Sequence, residues 1–115
     1  MNVLNLKLLI DTLSHAIELL RNLGAGYETV MCFCNSRSRL VESEKALANQ
    51  MPQVAVDLVI KAQTNIQLVT KYQDFSSPVG LLTRGLLFTL TDKLSALEKD
   101  IIANHLQPRE IGGVL

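Results

Sequence analysis

The sequence predicts an all-α protein built as a four-helix bundle with up-down-up-down topology. Apolar residues recur at gaps of three and four along four successive segments, and a glycine or proline stands near each junction between them. Four helices of about 20 to 28 residues joined by short connections pack most simply in this order. Long helices that form a dimerising hairpin, with the two halves exchanged between chains, would produce the same pattern.

The length of the chain indicates a single domain. A chain of 115 residues falls within the usual size of one domain. We assign the helical bundle to residues 1–107, because Pro108 and the Gly112-Gly113 pair close the last helix. Residues 108–115 are expected to form a flexible C-terminal tail.

The first helix is predicted from Val3 to Leu23, and the rest of the bundle is organised around it. Gly24 follows at the position where a glycine commonly ends a helix. At about 100° per residue, Leu8 and Leu19 project nearly opposite the buried seam, with His15 beside them. This helix therefore has a second apolar side that needs a partner. Its apolar seam consists of Val3, Leu6, Ile10, Leu13, Ile17 and Leu20.

The second helix is predicted over about Glu28–Gln50, although its first part allows two interpretations. Tyr27–Cys34 is rich in residues that also favour strands, and we interpret it as helix because helical spacing is clear from Leu40 onwards. Arg37 and Glu44 fall on core-facing positions of this helix. They are predicted either to pair or snorkel at the bundle edge, or to fix the register of a bound partner.

Proline residues mark the predicted starts of the third and fourth helices. Pro52 suits the first turn of a helix, so the connection is placed at Asn49–Pro52 and the third helix at Gln53–Phe75. Ser77 is the predicted N-cap of the fourth helix, with Pro78 at its first position. The apolar face of the fourth helix consists of Val79, Leu82, Leu86, Leu90, Leu94, Leu97 and Ile101.

Composition and charge argue against several classes of function. The 11 basic and 11 acidic residues cancel, which argues against a nucleic-acid partner. No apolar run approaches the roughly eighteen residues of a transmembrane helix, and Lys7 and Asp11 interrupt any signal-peptide core. A cytoplasmic location is therefore the default expectation. A regulator that acts on nucleic acid is kept as an alternative function.

No residue cluster predicts catalysis, a metal or a cofactor. Cys32 and Cys34 diverge by about 200° on a helix, so we expect them to be reduced, buried structural thiols rather than metal ligands. His15 lies within a bundle helix, as the phospho-accepting histidine of a phosphotransfer domain does. The basic residue that such motifs usually carry three positions later is Glu18 here. Phosphotransfer through His15 is therefore the second alternative function.

A surplus of apolar side chains is the feature that points to a function. The predicted partner-binding residues are Leu8, His15 and Leu19 on the first helix, and Leu81 and Phe88 on the fourth. Contiguous exposed apolar surface usually marks a protein contact. We therefore predict a non-catalytic oligomeric adaptor, small chaperone or inhibitor of a larger complex, which binds another protein or a second copy of itself. The two core-facing charges of the second helix would set the register of that contact.

Overall fold

Five helices make up the described part of the chain, which covers residues 3–106 of a computed structural model. The four long helices pack into one bundle, and the predicted fold class is confirmed. One chain supplies all four, as in the first of the two predicted architectures. The predicted tail, residues 108–115, lies outside the described residues. The helices are α1 (Val3–Asn22), α2 (Tyr27–Ala48), α3 (Pro52–Gln67), the single turn α4 (Val69–Tyr72) and α5 (Pro78–His105).

The helices do not pack equally closely around the bundle. α2 and α3 share the most extensive interface, followed by α3 with α5 and then by α1 with α2. α1 and α5 are also neighbours, but they touch over a much shorter stretch. The bundle is elongated, with dimensions of 51 × 24 × 17 Å. Its packing is therefore close on three sides and loose on the fourth, between α1 and α5.

Small side chains line the interface between α2 and α3. The Ser36 hydroxyl donates a hydrogen bond to the Ala62 carbonyl oxygen at 3.0 Å, and the Ser43 hydroxyl donates to the Ala55 carbonyl oxygen at 2.9 Å. All four residues are completely buried. The donor of the second bond lies seven residues after the donor of the first, whereas its acceptor lies seven residues before the acceptor of the first. The two helices therefore run antiparallel. We call these four residues the small-residue seam.

The hydrogen bonds of the small-residue seam also satisfy polar groups that have no access to water. A buried hydroxyl without a partner costs about 1–3 kcal/mol, whereas each serine here meets a carbonyl oxygen of the facing helix. Short side chains allow this, because the distance between two packed helices depends on the residues at their contact. A larger residue at any of the four positions would push α2 and α3 apart.

The bundle interior contains the apolar faces that the spacing predicts. On α1, Leu6, Leu13 and Leu20 are completely buried, and Ile10 and Ile17 are nearly so. Burial of each such side chain contributes about 1.5–3 kcal/mol, so this face holds α1 on the bundle. The other large, fully buried apolar side chains are Phe33 and Leu40 on α2, Val59 and Ile66 on α3, Val69 on α4, and Leu90, Leu94 and Ile101 on α5.

The segment Tyr27–Cys34 is helical throughout, as predicted, although its residues also favour strands. Val30 and Phe33 are three positions apart and are both buried. In a strand, an odd spacing would place these two side chains on opposite faces, whereas a helix places them on the same face. Their joint burial in the bundle therefore outweighs the local strand preference.

The third helix does not continue to Phe75, and this prediction is wrong. α3 ends at Gln67, and a separate turn, α4, follows. Leu68 keeps nearly helical backbone angles (φ −62°, ψ −17°), but the Lys71 N–H bonds to the Leu68 carbonyl oxygen, three residues back rather than four. The Thr70 hydroxyl donates to the Gln67 carbonyl oxygen at 2.9 Å, so it satisfies a carbonyl group at the end of α3. The spacing of apolar residues carries no signal of such a tightened turn.

The end of α1 has the geometry predicted for Gly24. This glycine adopts a φ of +78°, and its N–H bonds to the Arg21 carbonyl oxygen at 3.1 Å. The N–H of Ala25 bonds to the Leu20 carbonyl oxygen at 2.9 Å. Together these two bonds form a Schellman motif, which satisfies carbonyl groups that the helix leaves free.

α2 ends in the same motif without a glycine. Gln50 occupies the left-handed position with a φ of +59°, and its N–H bonds to the Leu47 carbonyl oxygen at 3.0 Å. The N–H of Met51 bonds to the Ala46 carbonyl oxygen at 2.8 Å. A residue with a Cβ is strained in this conformation by about 1 kcal/mol or more. The turn between α2 and α3 therefore contains a glutamine in a backbone conformation that glutamine does not favour.

α5 begins as predicted, with Ser77 as N-cap and Pro78 at the first helical position. The Ser77 Oγ accepts a hydrogen bond from the Gly80 N–H at 3.0 Å and donates one to the Asp74 carbonyl oxygen at 3.1 Å. The Asp74 carboxylate accepts from the hydroxyl and the N–H of Ser76, which lowers its pKa below the ordinary value. The loop is thus folded tightly onto α5, and a Cβ at Gly80 would overlap the Asp74 carbonyl oxygen.

Gly80→Ala is expected to lower the free energy of unfolding by about 2–4 kcal/mol, because the loop backbone must move to admit a methyl group. The matched control is Gly85→Ala in the same helix. A Cβ at Gly85 meets no atom within 4 Å, so the helix propensity of alanine should raise the free energy of unfolding by about 1 kcal/mol. Urea denaturation measures both changes. Equal effects of the two substitutions would contradict the loop packing described above.

Gln50→Gly is expected to raise the free energy of unfolding by about 0.5–1 kcal/mol, because glycine adopts the left-handed conformation without strain. The reverse substitution at the matching position of α1, Gly24→Ala, is expected to lower it by about 1 kcal/mol. Thermal and urea denaturation of both variants give the two values. Loss of stability in Gln50→Gly would show that its backbone is not strained.

Candidate functional site

A groove of about 440 Å³ opens between α1 and α5, on the loosely packed side of the bundle. Leu9 and Leu97 are almost fully buried at its floor, whereas Leu8 stands at its edge with 53% of its surface exposed. We call this cavity the α1/α5 groove. It is lined by Asn5, Leu8, Leu9 and Thr12 from α1 and by Lys93, Ala96, Leu97 and Asp100 from α5.

Two charged groups of the α1/α5 groove have no oppositely charged partner within residues 3–106. Asp100 accepts a hydrogen bond from the Asn104 side chain at 2.8 Å through Oδ1, but its buried Oδ2 meets no donor there. Lys93 forms no ion pair with any of the same residues. The groove therefore combines an apolar floor with one buried acceptor atom and one cation that are both unpaired within residues 3–106.

Exposed apolar side chains on α1 extend the α1/α5 groove along the helix. Leu8 and Leu19 on α1 are 53% and 42% exposed, and Leu23, which directly follows the last residue of the helix, is 47% exposed. At about 100° per residue, these three side chains project within about 60° of one another, and His15 projects about 20° from Leu8. His15 is also exposed. We call these four residues the outer row of α1. The structure thus places the three partner-binding residues predicted on α1 along one strip, to which Leu23 is added.

Leu81 and Phe88 form a separate surface on α5. They are 59% and 61% exposed, and their spacing of seven places them on one side of the helix. The Arg84 guanidinium carbon lies 5.6 Å from the centroid of the Phe88 ring, in cation–π contact. Phe88 projects about 80° away from Ala96 and about 140° away from Lys93, so it faces away from the α1/α5 groove. The five predicted residues therefore lie on two surfaces rather than one.

Arg37 and Glu44 contact α1 of the same chain. Arg37 Nε donates a hydrogen bond to Ser14 Oγ at 2.6 Å, and the Glu44 carboxylate lies 3.8 Å from Lys7 Nζ. Both side chains are half-buried at the edge between α1 and α2. Glu44 is thus placed for the first predicted role, pairing at the bundle edge, whereas Arg37 meets a neutral hydroxyl there and forms no ion pair within residues 3–106. A role in the register of a bound partner stays a prediction.

A second groove, of about 310 Å³, lies between α1 and α2. Arg21 Nη2 lies 3.8 Å from Cys34 Sγ across it. We call this cavity the arginine groove. The helical spacing does not predict this groove, because Arg21 and Arg37 come together only through the packing of α1 on α2. Its lining residues are Ser14, Ile17 and Arg21 from α1, and Cys34, Arg37 and Ser38 from α2.

The two cysteines occupy different environments, and both are free thiols. Cys32 is buried, and this burial raises the pKa of its thiol. Cys34 is half-buried and lines the arginine groove. The predicted burial is confirmed for Cys32 and wrong for Cys34, because the side of α2 that carries Cys34 opens onto the groove.

Neither a membrane-spanning helix nor a metal cluster occurs within the described range. Every helix of residues 3–106 is too short or too polar to cross a bilayer. No three His, Cys, Asp or Glu side chains of that range are grouped so that they could hold a metal ion. Phosphotransfer through the exposed His15 and an action on nucleic acid stay untested predictions.

No protein-family model, no curated protein and no solved structure matches this chain.

Proposed function

We propose that this chain is a non-catalytic binding protein, which holds an amphipathic helix of a partner protein in the α1/α5 groove. The observation that carries the proposal is the loose packing of α1 on α5, which leaves a groove with an apolar floor. The outer row of α1 continues that apolar surface beyond the groove. Apolar surface of this kind on a folded domain usually marks a site of protein contact.

The shape of the α1/α5 groove favours a helix as the bound element. Two antiparallel helices that are slightly parted form a channel, and a third helix fits into it by placing its side-chain ridges between theirs. From Asn5 to Leu23 the accessible strip of α1 is about 27 Å long, which corresponds to about five helical turns. A partner helix of that length would present apolar residues at spacings of three, four and seven.

Burial of the outer row would supply part of the binding energy. Leu8, Leu19 and Leu23 each expose about half of their surface. Full burial of a leucine contributes about 1.5–3 kcal/mol, so the remaining half contributes about 1 kcal/mol for each residue. This gain is too small to offset the loss of translational and rotational freedom, which costs about 4 kcal/mol or more. The partner helix must therefore contribute an apolar stripe of its own.

The charged residues of the α1/α5 groove indicate which charges the partner helix carries. Asp100 and Lys93 are seven positions apart and lie on the same side of α5. A basic residue beside the apolar stripe of the partner would pair with Asp100, and an acidic residue about two turns away would pair with Lys93. Such pairs would fix the direction of the bound helix more than they would strengthen binding.

The proposal is tested first by site-specific photo-crosslinking in the cells that express the protein. A benzophenone side chain replaces Leu8 or Leu19 in two variants, and replaces Leu81 or Phe88 in two matched controls. We expect the variants on α1 to cross-link to one amphipathic helical segment of another protein. The controls on α5 face away from the groove and should not give this product. Cross-links that are independent of position would contradict the proposal.

The second measurement is the affinity of this chain for the cross-linked partner segment, made as a synthetic peptide. We expect Leu8→Glu/Leu19→Glu to weaken peptide binding at least tenfold, because two carboxylates would be buried against apolar surface. Leu81→Glu/Phe88→Glu is the control and should bind the peptide like the unsubstituted chain. Circular dichroism checks that both variants are folded. Equal binding by both, or cross-links to a second copy of this chain instead, would overturn the proposal.

A further inference from the structure

We propose that the arginine groove binds a phosphate group, which is carried either by a small phosphate monoester or by a phosphorylated side chain. The groove lies between α1 and α2 and brings Arg21 and Arg37 to one cavity of about 310 Å³. It is separate from the α1/α5 groove, because its residues on α1 project from the other side of that helix.

Both arginines line the arginine groove, and neither forms an ion pair with a carboxylate of residues 3–106. The ion pairs found within residues 3–106 involve Lys7 and Arg39, and neither Arg21 nor Arg37 takes part in one. Glu18, one turn before Arg21 on α1, also forms no ion pair with it. Two guanidinium groups at one cavity repel each other, and a bound anion would remove that cost.

Arg37 is held in position for such an anion. Its Nε donates to Ser14 Oγ at 2.6 Å, while the Ser14 hydroxyl itself donates to the Ile10 carbonyl oxygen at 3.1 Å. The Ser14 hydroxyl is therefore used in both directions, and it fixes the guanidinium without neutralising its charge. The two terminal nitrogens of Arg37 make no hydrogen bond to any residue of the described range. Donors that are already oriented lose little entropy when a ligand binds.

The remaining lining residues add donors and an apolar wall. Within residues 3–106 the Arg21 side chain makes one hydrogen bond, to the Cys34 sulfur at 3.8 Å, and a thiol is a weak acceptor that a phosphate oxygen would readily replace. Ser38, whose hydroxyl is a further donor, lines the same cavity. Ile17 supplies apolar surface, which reduces the screening of charges by water. The cavity is larger than a phosphate ion, so it also has room for the group to which the phosphate is attached.

The pair of arginines favours a phosphate monoester over a carboxylate. A phosphate monoester carries a charge of about −1.5 to −2 at neutral pH and has three acceptor oxygens. A guanidinium group offers two parallel donors that match two of these oxygens. Two such groups therefore suit one doubly charged phosphate, whereas a single carboxylate would leave part of the positive charge uncompensated.

Cys34 provides a direct measure of occupancy, because it lines the arginine groove. Cys32 is buried, so a thiol reagent such as a maleimide should modify Cys34 first. We expect inorganic phosphate to slow the modification of Cys34 in a saturable manner, whereas sodium chloride at the same ionic strength should not. Isothermal titration calorimetry with phosphate gives the affinity independently. If neither method detects saturable binding, the proposal is overturned.

Two arginine variants and one control show whether phosphate binds in the arginine groove. Arg21→Gln should weaken phosphate binding at least tenfold, because a charge-assisted pair of hydrogen bonds is lost. Arg37→Gln should do the same, with a check of folding since its bond to Ser14 is also lost. Arg39→Gln is the control, because Arg39 is paired with Glu42 outside the groove. Equal binding by Arg21→Gln and Arg39→Gln would overturn the proposal.

The source of the phosphate is distinguished by comparing free phosphoserine with a phosphoserine-containing helical peptide. Binding of the peptide at least tenfold more tightly than the amino acid would identify a phosphorylated protein as the source. Equal or tighter binding of the free monoester would identify a small molecule. In either case the affinity should fall below about pH 6, where the phosphate loses its second charge. Affinity that does not change across this pH would contradict recognition of a dianion.

Discussion

The close contact between α2 and α3 is the constraint on which the rest of the structure depends. Ser36 and Ser43 are buried, and their hydroxyls donate to the carbonyl oxygens of Ala62 and Ala55 across the interface. These two bonds require a short separation and one register of the two helices. A shift of one residue along either helix would break both bonds and would place larger side chains against each other. The central pair is therefore specified by polar and steric requirements at once.

The other two long helices are attached to this central pair from outside. α5 packs on α3 and α1 packs on α2, so each is held by a different member of the pair. The contact between α1 and α5 is left short, and the α1/α5 groove is the result. On its other side, α1 meets α2 through half-buried polar groups, and the arginine groove lies there. Both candidate sites therefore border α1, whose buried face is apolar while its two flanks differ in chemistry. An apolar flank suits a partner helix, and a basic flank suits an anion.

Much of the fold follows from the sequence, because its helices are defined by spacing and by local end signals. Gly24 and Ser77 take their predicted capping positions, since the residue types needed at helix ends are few. Gln50 gives no such signal, because glutamine is not a residue type that favours the left-handed conformation it adopts at the end of α2. The outer row of α1 was predictable from the helical repeat alone. The meeting of Arg21 and Arg37 was not, because it depends on which sides of two helices face each other.

Native-state hydrogen exchange, measured amide by amide, tests most directly the claim that the bundle is tight between α2 and α3 and loose beside α1. Because α2 and α3 are tightly packed, we expect the amides of Ser36 and Ala62 to exchange only through global unfolding. The amides of Leu9 and Leu13 on α1 should exchange through a smaller opening, whose free energy is lower by about 1–2 kcal/mol or more. Protection of α1 equal to that of α2 and α3 would contradict the account, because the bundle would then be equally closed on all four sides and would have no side ready to admit a partner helix.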